Sequence, residues 1–160
     1  MKSKNYSKPQ LTGLVVLRVA IGWHFLFEGL AKISTPNWTS YLYLMDSKGI
    51  FENIFKALAE NKQSLIVVDY LNIWGLIIIG LFLMLGLFSK QVIIAAIALL
   101  SLYYLSHPPF FGLDYMLPTT GSYWIVDKTL IEIFALVVLM VFPTSKEIGL
   151  DRLFIKKNKI

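Results

Sequence analysis

Hydrophobic residues in this chain neither alternate nor follow one narrow stripe; they gather in four long blocks separated by polar segments. The first block reads Leu11 to Ile33, the second about Val67 to Phe88, the third about Gln91 to Leu105 and the fourth about Tyr123 to Phe142. A helix of about 20 residues, rising about 1.5 Å each, crosses the ~30 Å hydrocarbon layer, so each block predicts a membrane span. Pro108-Pro109 closes the third block and Pro143 the fourth, because proline cannot continue the helical hydrogen-bond ladder. The first block follows three lysines but is too long for a signal peptide, carries Arg18 and Glu28, and precedes no small-x-small cleavage site. It predicts a retained helix.

The segment 34–66 between the first two blocks is too long for a turn. Within it Ile50, Phe51, Ile54, Phe55 and Leu58 fall at helical spacing, which predicts an amphipathic helix lying on the membrane surface or capping the bundle. Trp38, Tyr41 and Tyr43 suit an interfacial position. The predicted fold is all-α: one membrane domain, 1–160, an integral four-helix up-down bundle with an extra amphipathic helix and a tail at 144–160.

Composition agrees. Of 160 residues, 56% are hydrophobic and 16% charged, with a mean hydropathy of +0.64. Soluble domains carry roughly 25% charged residues, so a soluble enzyme and a disordered tail are both excluded. The absence of cysteine excludes a disulfide, a thiol nucleophile or an iron–sulfur cluster in this chain. The net charge of +5 lies mainly at the two ends, which points to membrane orientation, not to nucleic acid. Lys2, Lys4, Lys8, Lys90, Lys146, Arg152, Lys156, Lys157 and Lys159 face Lys48, Lys56 and Lys62 on the other side, which places both termini in the cytoplasm.

Candidate chemistry lies in the charges inside the spans, which are costly there and normally face a bundle interior or a wet cavity. At about 100° per residue from Arg18, Lys32 falls near −40°, Glu28 near −80° and His24 near −120°, on one third of the helix. Phe25 lies beside them, while Leu14, Val16, Leu17, Ile21, Leu26 and Leu30 form an apolar face expected to meet lipid. Partners come from Asp69 and Asn72, from Tyr103 and His107, and from Trp124, Asp127, Lys128 and Glu132. Depth counting brings Arg18 and Glu132 within about a turn of each other, as a pair. The construction is a polar pocket open to the outer face, with Trp23, Trp74, Trp124 and Tyr104 available for walls. A quinone head group suits it: Arg18 and His24 orient its carbonyls, while His24, Glu28 and Glu132 carry protons. The competing reading makes the same charges internal struts of a non-catalytic scaffold. No metal site is expected.

The first span, Leu17-Arg18-Val19-Ala20-Ile21-Gly22 through Phe25 to Glu28-Gly29-Leu30-Ala31-Lys32, resembles the opening pattern of the DoxX/DoxD-like family of small four-helix membrane proteins. Gly80 to Phe88, Tyr103-Tyr104 and Asp127-Lys128 with Glu132 extend the likeness along nearly the whole chain. The resemblance implies a bacterial inner-membrane protein, in some members the membrane subunit of a quinone-linked oxidoreductase, in others a partner of periplasmic thioredoxin-like proteins. Expected partners are the bilayer, a periplasmic redox protein at loop 34–66, and further subunits in a homo- or hetero-oligomer. Lacking cysteine, this chain would leave any sulfur chemistry to such a partner.

Overall fold

The structure, a computed structural model, describes residues 6–110, 112–117 and 124–152. Its regular elements are α1 (Lys8–Ser34), α2 (Tyr41–Met45), α3 (Glu52–Glu60), α4 (Lys62–Leu85), α5 (Ser89–Ser106) and α6 (Lys128–Val141). Among the described residues α1, α4 and α5 are long and apolar enough to cross a membrane. Lys2, Lys4, Tyr123, Lys156, Lys157 and Lys159, all used in the sequence reading, lie outside the described residues.

Local chemistry fixes the boundaries. Ser7 opens α1 with a capping box: its side chain accepts from the Gln10 N–H, and the Gln10 side chain accepts from the Ser7 N–H. Asn61 caps α4 by accepting from the N–H groups of Gln63 and Ser64, so α4 begins before the expected Val67 and the interhelical loop is shorter than 34–66. Gly86, left-handed at φ 63°, ends α4. Asp127 accepts from the Leu130 N–H and starts α6 at Lys128 rather than near Tyr123. At 14 residues, about 21 Å, α6 is too short to cross ~30 Å unaided.

Four helices share one core, in which Ile21 and Phe25 of α1, Leu76 and Leu83 of α4, Ala96 and Leu100 of α5, and Leu136 and Leu139 of α6 are buried. Ile21, expected on the lipid face, therefore belongs to the interior; the outward face of α1 carries Val16, Trp23, Phe27 and Leu30. Trp23 and Trp74, expected as pocket walls, are likewise half-exposed on the outside. The helices run antiparallel to their neighbours, with Gly22 of α1 against Met84 and Gly80 of α4 and Gly29 against Ile77 and Ile73. α2 and α3 cap one end, where Leu44, Phe55 and Ala59 form a second cluster. The exposed Ile50 and Ile54 leave an apolar edge there, as the amphipathic reading requires.

Small residues let α1 and α4 meet backbone to backbone. A Cβ at Gly80 would stand 2.6 Å from the Gly22 carbonyl oxygen and against the Leu26 backbone, whereas one at Gly75 meets nothing within 4 Å. Gly80→Ala should therefore force the helix pair apart and cost about 1–3 kcal/mol. Gly75→Ala should be neutral or slightly stabilising. Melting of both variants in detergent checks the contrast.

Candidate functional site

Where α1, α5 and α6 converge, His24, Phe25, Glu28, Lys32, Tyr103, Lys128 and Glu132 line a cavity of about 190 Å³. Those residues were all singled out from the sequence. The cavity's apolar side is made by Phe25, Leu76 and Leu100. Its lining comes mainly from α1 and α6, which meet over a much shorter stretch than α1 and α4 do.

His24 is the hub. Its Nδ1 lies 2.9 Å from Glu132 Oε1, and its Nε2 lies 3.1 Å from Lys128 Nζ. An ionised carboxylate only accepts hydrogen bonds and an ammonium only donates them. With Glu132 ionised and Lys128 charged, both contacts are satisfied by one form of the ring, neutral and protonated at Nδ1. Glu28 Oε1 stands 4.0 Å from the same Nε2. Glu28 in turn accepts from Lys32 Nζ at 3.2 Å, and that ammonium lies 5.4 Å from the centre of the Trp38 ring. The buried Tyr103 hydroxyl faces the Asn72 side chain, the polar group within its reach. Tyr103 and Asn72 also line a second, mainly apolar cavity of about 180 Å³ under α2 and α3, so the Tyr103 ring is a wall common to both spaces.

The other sequence candidates stand elsewhere. Arg18 does not pair with Glu132: it donates to Thr144 Oγ1 at 3.0 Å and to the Ile148 carbonyl at 2.8 Å, at the end of the bundle near the chain termini. The late start of α6 explains this. Glu132 sits only about 6 Å into its helix, level with His24, while Arg18 lies about 9 Å nearer the start of α1. Asp69 accepts from the N–H and hydroxyl of Ser40 and so anchors α2 to α4. Asp127 is occupied as the α6 cap, and Trp124 is exposed at φ 69°.

His107 belongs to a separate cluster that closes the capped end. It stacks between Tyr43 at 4.0 Å and Tyr115 at 4.8 Å, and its Nε2 lies 3.9 Å from Asp46 Oδ2. Asp46, overlooked in the sequence because Asp-Ser-Lys-Gly reads as an ordinary turn, is fully buried and accepts from the N–H groups of Met116 and Leu117. Burial pushes the Asp46 carboxyl up, but those two amides, His107 and Lys48 outweigh it and hold it below its usual value. Burial lowers the His107 pKa, opposed only in part by Asp46, and raises the Tyr115 phenol to about 12.

The long apolar helices define a multi-pass α-helical membrane protein. The family model described as DoxX matches residues 13–107, and the chain belongs to that family. No curated protein and no solved structure matches the chain.

The His107 cluster makes the capped end acid-sensitive. His107 is neutral in the fold and takes a proton more readily when unfolded, so stability falls as pH drops below about 6.5 and levels off below the lowered folded value. Asp46 acts in the same direction at lower pH, its contribution being lost as pH falls through its depressed folded value. Melting in detergent should therefore drop between about pH 7.5 and about pH 5.5, and less steeply for His107→Gln. Asp46→Asn should cost about 1–3 kcal/mol at both pH values by weakening a buried acceptor.

Proposed function

We propose that this chain is the membrane subunit of a quinone-linked oxidoreductase in the bacterial inner membrane, with both termini cytoplasmic and the α1–α4 connection periplasmic. The nine-to-three distribution of basic residues supports that orientation. In this reading residues 1–160 form one membrane domain, and α6 completes a fourth crossing with the chain on either side of it. The observation that carries the proposal is His24, engaged at both ring nitrogens by groups of opposite charge inside a cavity walled by Phe25, Leu76, Leu100 and Tyr103.

The residues fit a quinone head group. About 190 Å³ holds a single substituted ring, and the seam between α1 and α6 leads its tail into lipid. The Lys128 ammonium, and the Tyr103 hydroxyl once it turns from Asn72, are donors suited to the ring's carbonyl oxygens. A bound quinone would supply two-electron, two-proton redox chemistry, with the electrons coming from a periplasmic redox protein docked on the α2–α3 face. His24 can hold one of these protons at Nε2 once Lys128 turns away, with Glu28 as the new partner. Glu132 keeps Nδ1 protonated and fixes the ring's orientation. Glu28, whose side chain is 48% exposed, is the group positioned to exchange protons with solvent. Arg18 has no part in this site.

A second reading rests on the same contacts: His24–Glu132 and Glu28–Lys32 are satisfied within the chain, as struts in a scaffold would be. Thermal melting with short-tailed quinone analogues separates the two. A ligand that binds only the folded state raises Tm. The proposal expects such a rise, weakened about tenfold in apparent affinity by Tyr103→Phe and by Lys128→Met. Absence of protection by any quinone, with His24→Gln and Glu132→Gln lowering Tm alone, would establish the strut reading.

A further inference from the structure

A second, larger cavity lies at the opposite end of the bundle from His24. It measures about 400 Å³ and sits between the start of α5, the end of α6 and the segment that follows α6. Its walls divide by chemistry: Ile93, Leu139 and Met140 are apolar, whereas Arg18, Lys90 and Lys146 bring three cations against the single carboxylate of Asp151.

Unmet hydrogen-bonding capacity concentrates at this place. Arg18 is 3% exposed, and with both terminal nitrogens engaged its Nε still has no partner. Ser89, 6% exposed, has a hydroxyl without a partner. Buried donors of this kind normally find an acceptor, and each one left alone costs free energy. The α5 amides are not the attraction, because Asp151 already accepts from the N–H groups of Phe88 and Ser89. Asp151 is held in place by its neighbours, with its own N–H bonded to the Gly86 carbonyl and the Leu150 N–H bonded to the Leu85 carbonyl. What remains unanswered is donor capacity and positive charge beside an apolar wall.

We propose that this cavity is a seat for a negatively charged phosphate group, supplied by an anionic lipid headgroup or by free phosphate. Lys90 and Lys146 stand exposed at its edge and attract the anion, and Ser89 and Arg18 give the inner wall its donors. The apolar side formed by Leu139 and Met140 lies where the first methylenes of an acyl chain would run if the phosphate belongs to a lipid. The seat lies at the level where the helices begin and end, the depth of lipid headgroups in a membrane-crossing bundle. It is independent of the quinone proposal, sharing no lining residue with the His24 cavity.

The test is melting of the full chain in a neutral detergent with added phosphatidylglycerol, phosphatidylcholine, inorganic phosphate, or chloride at matched ionic strength. Phosphatidylglycerol should raise Tm by about 5 °C at saturation, with little change from phosphatidylcholine or chloride. If inorganic phosphate gives the same rise at similar concentration, the ligand is free phosphate; if only the lipid does, it is a headgroup. The Lys90→Gln/Lys146→Gln double variant changes two exposed side chains and should melt normally without ligand, yet lose the rise; Ser89→Ala should reduce it. A rise matched by phosphatidylcholine, a rise that survives in the double variant, or no rise with either phosphate source would overturn the proposal.

Discussion

A charge inside a lipid-shielded bundle must find its counterpart within the bundle, and α1 brings Arg18, His24, Glu28 and Lys32 on one stripe. The rest of the structure follows from how those four are answered. Glu132 and Lys128 at the start of α6 meet His24, and Thr144 and the Ile148 carbonyl beyond its end meet Arg18. These contacts pin α6 against α1 at both ends. A one-residue slip of α6 would turn Glu132 by about 100° away from His24 and leave a buried carboxylate unmatched.

The two halves of the bundle differ in character, and the difference locates the sites. α1 and α4 approach so closely at Gly22, Gly29 and Gly80 that no side chain fits between them, which makes them a rigid pair. α5 packs on α6 through larger apolar residues, among them Leu100, Leu136 and Leu139. The His24 cavity lies between the pairs, and the larger cavity lies at the far end, beside the start of α5 and the end of α6. The capped end is closed by a different device, with the Asp46 carboxylate gripping Met116 and Leu117 and the His107 ring stacked between two tyrosines. The segment after α6 closes the other end by pairing with Leu85, Gly86 and the start of α5.

Much of this is legible in the sequence because hydrocarbon thickness leaves few choices. Block lengths, proline stops and the angular grouping of His24, Glu28 and Lys32 give the helices and most of the polar cavity by geometry alone. The expected pairing of Arg18 with Glu132 failed on a capping interaction. Asp127 read as one more charge in a span, whereas its side chain fixes the first turn of α6 and thereby moves Glu132 from Arg18 to His24. Ile21 turns inward because residues flanking a polar stripe can face either way until a neighbour's volume decides. Asp46 and the fold-back at Leu150 and Asp151 are contacts between segments far apart in the chain, with no local pattern to announce them.

The central claim is that His24 is a neutral ring shared between a carboxylate and an ammonium inside the bundle. Nitrogen-15 NMR of histidine-labelled protein in lipid at neutral pH tests it most directly, since the two nitrogens of each neutral tautomer resonate far apart. The expected spectrum for His24 has a protonated Nδ1 and a bare, accepting Nε2, a pattern lost in Glu132→Gln. A ring protonated at Nε2 alone, or one averaging freely between forms as in water, would contradict the account.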